Sequence, residues 1–308
     1  MTFKRPLAPT IAALALALAF YSCAPAEPVN AIEVPPAGAQ PGPGLWQLSD
    51  GDTTIYLFGT IHVLPDGTPW FDARIERAFT AADTVVTEVD LRDTDRVTAA
   101  LIGAAALPEG SSLRDFLGPQ DRAQYEAAMI DLGLQPNALD RFEPWLVALN
   151  LNLLPLMQAG YDPASGVETA LVARAGGKSH AALESLDQHV ALFDGMEQAQ
   201  QLSYLNLSID EVDEVVPSVN EMVTEWLAGD AAALDALLNS DLGAETGDAY
   251  LNDRLLINRN ANWAGWIAQR MEQPGTVFIA VGAGHLVGAG NVQDQLRQRG
   301  LLVTRVWQ

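Results

Sequence analysis

Cysteine and basic residues are both scarce in this chain of 308 residues. The single cysteine, Cys23, cannot form a disulfide within the chain, and one thiolate is too few for a cysteine-based metal site. Seventeen Lys and Arg residues stand against 39 Asp and Glu residues, which gives a formal charge of −22. Because such a surface repels phosphate backbones, we expect no nucleic-acid partner.

Long hydrophobic runs are missing as well. The apolar run over residues 11–21 follows Lys4 and Arg5, and it is too short to cross a bilayer of about 30 Å as a helix. A positive start followed by a short apolar run is typical of an export signal. No later segment reaches the ~18 apolar residues of a membrane-spanning helix. We therefore expect an exported protein, either periplasmic or lipid-anchored to the outer membrane.

The end of the signal allows two interpretations. Cys23 directly follows the apolar run and could be the lipidated first residue of a lipoprotein, although Phe20 stands where lipoboxes usually carry leucine. Alternatively, signal peptidase cleaves after the small residues that end at Ala26. The first interpretation predicts membrane attachment through Cys23, and the second predicts none.

The composition divides the chain into three parts. Residues 1–23 form the signal peptide or lipoprotein signal, and residues 24–44 form a linker rich in Pro, Ala and Gly that cannot build a core. Residues 45–308 are predicted to form the folded domain. With 49% hydrophobic and 18% charged residues, the chain has an ordinary globular composition.

Short apolar runs alternate with helical patterns through the domain. Two strands flank a turn at residues 49–52, and further strands are predicted at residues 84–89, 179–183, 276–281 and 301–307. This alternation predicts an α/β fold, with a mostly parallel central sheet flanked by helices. The mainly helical stretches 97–174 and 196–272 predict a helical cap on the sheet.

Four polar residues follow the predicted strands at equivalent places: His62, Glu88, Glu184 and His285. The two histidines each end a Gly-x-x-His motif after an apolar strand. Taken singly, each residue could be a packed histidine or a solvated strand end. Because the carboxyl ends of parallel strands share one rim, where ligand crevices form, we expect the four to meet. Two imidazoles and two carboxylates can coordinate a divalent cation or perform acid–base chemistry.

Other polar residues have weaker claims. His180 begins a predicted strand and His189 lies in a predicted helix, so both are expected to be surface or packing residues. Arg259 and Asn260 lie in a long predicted helix, and Trp263 follows on the face of Arg259. The arginine could stack on Trp263 at the surface, or it could bind an anion or carbonyl at the rim.

The order of these motifs resembles the TraB/GumN family, which is related to the Tiki proteins. The resemblance covers about residues 45–308. The chain departs from the usual family pattern at Glu143, where the family has Lys, at Glu168, where it has Asp, and at Ser185, where it often has Thr. The matching blocks are Leu57–Pro65, Ala82-Asp83, Glu88-Val89-Asp90, Pro144-Trp145, Gly166-Val167, Leu183-Glu184 with Gln188, Arg259-Asn260 with Trp263, and Val281–Leu286 with Gly288.

The resemblance implies a fold shared with erythromycin esterases and haem-binding ChaN-like lipoproteins. It also implies a hydrolytic site, because Tiki proteins look like proteases that depend on a divalent metal, with Mn or Co favoured and Zn possible. The leading hypothesis is a hydrolase that acts on a peptide or a small molecule, and the relationship to Tiki proteins implies the metallopeptidase form of it. The expected metal ligands are His62, Glu88 and His285, and the expected catalytic residues are Glu184, Arg259 and Asn260.

Each catalytic residue has an expected role. Glu184 would be a further ligand or the general base for a metal-bound water. Arg259 and Asn260 would orient the substrate or stabilise developing negative charge. Two alternatives remain open. One is a metal-free site in which a histidine is the general base and a carboxylate orients it. The other is a protein without catalysis that binds haem or another ligand.

Overall fold

A hairpin begins the domain and forms one side of the central sheet. The computed structural model describes residues 42–239 and 250–307. Strands β1 (Leu45–Ser49) and β2 (Thr53–Thr60) pair in antiparallel fashion. The Asp50 carboxylate accepts the backbone N–H groups of Asp52 and Thr53, which closes the predicted turn. Strand β8 (Thr304–Arg305) pairs with the other side of β1, and this strand is shorter than the predicted 301–307.

The remaining strands of the sheet are parallel. Strand β7 (Gly275–Gly282) lies between β2 and β4 (Thr84–Thr87), and β6 (Ser179–Ala182) pairs with β4, all in parallel. The strand order is β6-β4-β7-β2-β1-β8. The predicted α/β fold with a mostly parallel central sheet is therefore confirmed. A second, two-stranded ribbon, β3 (Leu64–Pro65) with β5 (Tyr161–Asp162), was not predicted from the sequence.

Helices connect the strands. Asp72 caps the first helix by accepting the N–H groups of Arg74 and Ile75, so this helix begins at Ala73. Within the residues that the structure describes, the α-helices are α1 (Ala73–Ala81), α2 (Thr94–Ala104), α3 (Pro119–Asp131), α4 (Pro144–Gln158), α5 (Val167–Arg174), α6 (Leu186–Asp194), α7 (Gln198–Asp210), α8 (Val215–Ala228), α9 (Ala231–Asn239), α10 (Asn258–Arg270) and α11 (Val292–Gln298).

The two faces of the sheet pack differently because side chains alternate along each strand. Leu57 and Ile279 pack with Trp263 of α10 and Leu296 of α11. On the other face, Phe58 and its neighbours belong to a much larger cluster that continues through α1 and into α3, α4, α7 and α8. The helical stretches thus pack directly on the two faces of the sheet, and a separate helical cap is not confirmed.

Two expectations fall partly or wholly outside the described residues. The predicted signal, residues 1–23 with Cys23, and most of the linker 24–44 lie there, so these boundaries stay predictions. Across residues 42–239 and 250–307, none of the helices has the length and apolar character needed to cross a membrane.

Candidate functional site

The ends of β2, β4, β6 and β7 bring the four polar residues to one rim of the sheet. His62 follows β2, Glu88 follows β4, Glu184 lies two residues after β6, and His285 lies in a 3₁₀ turn after β7. Three of them surround Gly282: a Cβ placed there would stand 3.4 Å from Glu88 Oε1 and 3.7 Å from both His62 Nε2 and His285 Cδ2. The Gly282 N–H also donates to Glu88 Oε1 at 2.7 Å.

Arg259 of α10 lies at the centre of this cluster. Its guanidinium donates to Glu88 Oε2 at 2.6 Å, to both oxygens of Glu184 at 2.7 and 3.1 Å, and to His285 Nε2 at 3.2 Å. The side chain is buried, with 3% exposed. Burial would lower the pKa of Arg259, but the two carboxylates outweigh it and raise the pKa, so the guanidinium stays charged.

Glu184 receives two further donors besides the arginine. Trp263 Nε1 donates to Oε1 at 2.9 Å, and His189 Nδ1 lies 3.4 Å from Oε2. Burial raises the pKa of Glu184, but the His189 hydrogen bond and the charge and hydrogen bonds of Arg259 lower it to about 2. Glu184 is therefore ionised at any physiological pH.

His285 is held in its neutral form. Its Nδ1 lies 2.6 Å from Asn260 Oδ1, and the Asn260 amide group donates to the Gly290 carbonyl, which identifies Oδ1 as the acceptor and Nδ1 as protonated. The ring lies 4.2 Å from the Trp263 ring, centroid to centroid. Burial, then the charges of Arg259 and His62, lower the pKa of His285 well below 6.5. Nε2 is therefore the acceptor that faces Arg259.

His62 pairs with a carboxylate that lies outside the predicted set. Its Nδ1 is 2.7 Å from Glu168 Oε1, and the same oxygen accepts the Thr60 hydroxyl group. Glu168 belongs to α5 and is buried. Burial raises the pKa of Glu168, but the charge and hydrogen bond of His62 and the bond from Thr60 hold it below its usual value. The carboxylate thus accepts from a protonated Nδ1, and His62 and Glu168 form an imidazole–carboxylate pair.

The backbone around this pair is fixed by close contacts. A Cβ on Gly166 would lie 2.0 Å from the His62 carbonyl oxygen, so only glycine lets α5 begin this near to the strand exit. The Val167 N–H donates to the Ile61 carbonyl at 3.0 Å. On the strand side, the buried Trp226 indole donates to the Gly59 carbonyl at 2.9 Å.

A π-helical turn aims Arg259 at the rim. Residues Asp253–Ile257 form this turn directly before α10, and the Asn258 N–H donates to the Asp253 carbonyl, five residues back. The Arg259 guanidinium donates to the Leu255 carbonyl at 3.1 Å. The wider turn places Arg259, Asn260 and Trp263 together against the sheet edge.

The two other histidines differ. His189 is buried and contacts Glu184, so it belongs to the site's hydrogen-bond network and is more than a packing residue. In the sequence, the one sign of this link is that His189 lies one helical turn after Ser185, the capping residue of α6. His180 lies within β6 and is half-buried.

The predicted metal ligands do not fit a shared cation in this arrangement. Glu88 and His285 both face the guanidinium of Arg259, so its N–H donors occupy the lone pairs that a cation would need. Among residues 42–239 and 250–307, no group of three or more His, Cys, Asp and Glu side chains is placed to hold a metal ion.

Comparison with known proteins identifies the family. The family model described as TraB/PrgY/gumN matches residues 44–305, nearly the whole domain. The chain belongs to the TraB/PrgY/gumN family. An uncharacterized protein of Treponema pallidum (strain Nichols) is 24% identical, and the match covers 83% of this chain and 81% of that protein. The protein YbaP of Escherichia coli (strain K12) is also 24% identical, with 80% and 89% covered.

This TraB/PrgY/gumN chain is also similar to proteins named for an activity. The metalloprotease TIKI1 of Danio rerio is 26% identical over 309 aligned positions, which cover 83% of this chain. The match spans 61% of the length of TIKI1, so TIKI1 is the longer protein. No solved structure matches the chain. The word metalloprotease belongs to the name of TIKI1, and the roles of individual residues in this chain stay predictions.

Proposed function

We propose that this chain is an exported hydrolase whose general base is His62, oriented by Glu168. The observation that carries the proposal is the 2.7 Å contact between His62 Nδ1 and the buried Glu168 carboxylate. A carboxylate on Nδ1 fixes the ring and its tautomer, so Nε2 is the basic nitrogen. This arrangement is the metal-free alternative of the sequence analysis, with Glu168 as the orienting carboxylate.

His62 is the least buried of the three central side chains. Its side chain is 14% exposed, whereas those of Arg259 and His285 are 3% and 0% exposed. The Nε2 atom of His62 is itself buried, so the ring reaches the surface while its basic nitrogen faces the interior of the site. His285 is a weak base, because burial and then the charges of Arg259 and His62 lower its pKa well below 6.5.

The reaction follows from this geometry. A water molecule gives a proton to His62 Nε2 while its oxygen attacks the carbonyl carbon of the substrate. Collapse of the tetrahedral intermediate breaks the bond to the leaving nitrogen or oxygen, which receives the proton from the imidazolium. Glu168 stabilises the imidazolium in between. The Tiki relatives are named metalloproteases, which supports a peptide substrate. The reaction written here needs no metal, and manganese or cobalt would be the first metals to test for a dependence.

The location is also part of the proposal. The positive start, the short apolar run and the linker support export, with either cleavage after Ala26 or a lipid on Cys23. Mass spectrometry of the mature N-terminus separates these two forms. A mature protein that keeps Met1 and stays in the cytoplasmic fraction contradicts the proposal of export.

Turnover of fluorogenic peptides and nitrophenyl esters tests the proposed activity. We expect His62→Ala to lower kcat/KM by about 10²–10⁴-fold, the usual contribution of a general base. Glu168→Gln should lower it by a smaller factor and shift the pH profile, since the ring loses its charged partner. His180→Ala is the matched control, because this histidine lies in β6 away from the strand exits, and it should keep full activity.

Two outcomes would redirect the proposal. If His62→Ala turns over substrate like the wild type, His62 is not the base. If no substrate is turned over but added haem gives a new Soret band that His62→Ala abolishes, the chain is a ligand-binding protein. Repeating the active assays after chelation and with added Mn²⁺ or Co²⁺ shows whether turnover depends on a metal.

A further inference from the structure

We infer that Arg259 is the resident cation of this site and takes the position that a divalent metal would otherwise occupy among Glu88, Glu184 and His285. A guanidinium has five N–H donors in a fixed planar arrangement. All five have protein acceptors here. Nε donates to Glu184, Nη1 to Leu255 and His285, and Nη2 to Glu88 and Glu184.

Because all five N–H donors already have protein acceptors, Arg259 does not contact the substrate directly. No donor of the guanidinium is left for a substrate carbonyl or carboxylate, and the side chain is 3% exposed. The arginine acts through its neighbours: it fixes the two glutamates and presents a donor to His285 Nε2. It is therefore a positioning residue, in contrast to the substrate-binding role expected from the sequence.

The acceptors also show why a cation is needed at this place. Glu88 accepts one further hydrogen bond, from the Gly282 N–H, and Glu184 accepts from Trp263 and faces His189. Two buried carboxylates without a counter-charge would be very costly. The guanidinium supplies one positive charge and cannot lose its proton. A metal ion would need the same oxygen and nitrogen lone pairs, so it could enter only if Arg259 left.

Removing the arginine should therefore create a metal site. Arg259→Met would leave two carboxylates and a neutral imidazole nitrogen around a space with two negative charges and no positive one. Oxygen and imidazole donors suit Mn²⁺, Co²⁺ and Zn²⁺. We expect the variant to bind Mn²⁺ at least about tenfold more tightly than the wild type, because a positive charge at contact distance has been removed.

Calorimetric titration of Mn²⁺ and Co²⁺ into the purified, tag-free, metal-stripped full chain tests this inference. The wild type should show no single-site binding that Glu88→Gln weakens, and Arg259→Met should bind about one ion per chain. Arg74→Met is the matched control: Arg74 is equally buried and pairs with Asp72, but it faces no second carboxylate or histidine, so no metal binding should appear.

The outcomes are distinct. One ion bound by the wild type and weakened by Glu88→Gln would overturn the inference, as would a folded Arg259→Met variant that binds no ion, or equal gains in Arg259→Met and Arg74→Met. If Arg259→Met does not fold, titration of the wild type and Glu88→Gln still decides whether Arg259 or a metal ion is the resident cation of the site. The result does not depend on turnover, so it stands apart from the proposed role of His62.

Discussion

Replacing Arg259 by methionine should destabilise the folded chain strongly at neutral pH in the absence of metal. Methionine fills much of the same space but supplies neither the charge nor the five N–H donors. Glu88 and Glu184 would then remain buried without a counter-charge. Breaking a buried ion pair by removing one partner usually costs about 3–5 kcal/mol. For a domain of this size, that corresponds to a fall in Tm of roughly 6–20 °C.

The effect should depend on pH in a particular direction. In the wild type, the pKa of Glu184 falls from 4.5 to about 2 on folding, which contributes roughly 3 kcal/mol above pH 4.5. That contribution is lost as the pH falls from 4.5 towards 2. Without Arg259, burial is opposed mainly by the hydrogen bond and charge of His189, so the pKa of Glu184 in the folded variant should rise, and acid should cost the variant less stability than the wild type. The difference in stability between the two proteins should therefore shrink as the pH falls.

Thermal unfolding followed by far-UV circular dichroism at a series of pH values from 7 to 3.5 measures this difference. Glu184→Gln in the Arg259→Met background provides a control, because it removes one of the two uncompensated charges and should recover part of the lost Tm. A Tm difference that stays constant over the whole pH range would refute the reasoning. It would show that the cost comes from lost packing rather than from buried charge.

Three further predictions concern the surroundings of the site. In the folded chain the pKa of His285 lies well below 6.5, so just below pH 6.5 only the unfolded chain binds a proton at this residue. The stability of the folded chain therefore falls as the pH drops below 6.5. His285→Gln should flatten this part of the Tm-versus-pH curve. Gly166→Ala should lower stability by about 1–3 kcal/mol in urea unfolding, because its Cβ would meet the His62 carbonyl, whereas Gly177→Ala, which meets nothing within 4 Å, should have little effect. Ser185→Ala should cost about 1 kcal/mol in the same assay, since it removes the cap of α6, and no loss would show that the cap contributes nothing.

The sequence was sufficient to predict the sheet and the rim because both depend on local patterns. Apolar runs predicted β2, β4, β6 and β7, and a parallel sheet necessarily brings the ends of those strands to one edge. His62, Glu88, Glu184 and His285 could be recognised because each follows such a run. Their chemical roles do not follow from that pattern and stay predictions.

The partners of these residues depend on tertiary contacts that no local pattern indicates. Glu168 lies at the start of a helix, and it reaches His62 because Gly166 packs against the strand exit and the β3–β5 ribbon holds the neighbouring loops together. The sequence did carry one signal, because Glu168 directly follows the matching Gly166-Val167 block, at a place where the family has Asp, another carboxylate. The position of Arg259 was equally hidden, since periodicity predicts a regular helix and gives no sign of a π turn.

The π turn also couples the residues that follow it. A π turn is equivalent to one extra residue inserted in an α-helix, and each residue advances an α-helix by about 100°. Deleting one residue from Asp253–Ile257 would rotate Arg259, Asn260 and Trp263 away from the rim in a single step. Glu184 would lose both its arginine and its tryptophan donors, and His285 would lose the amide that fixes its tautomer. The one extra residue of the π turn therefore ties these three side chains together, because its loss would remove all of them from the rim at once.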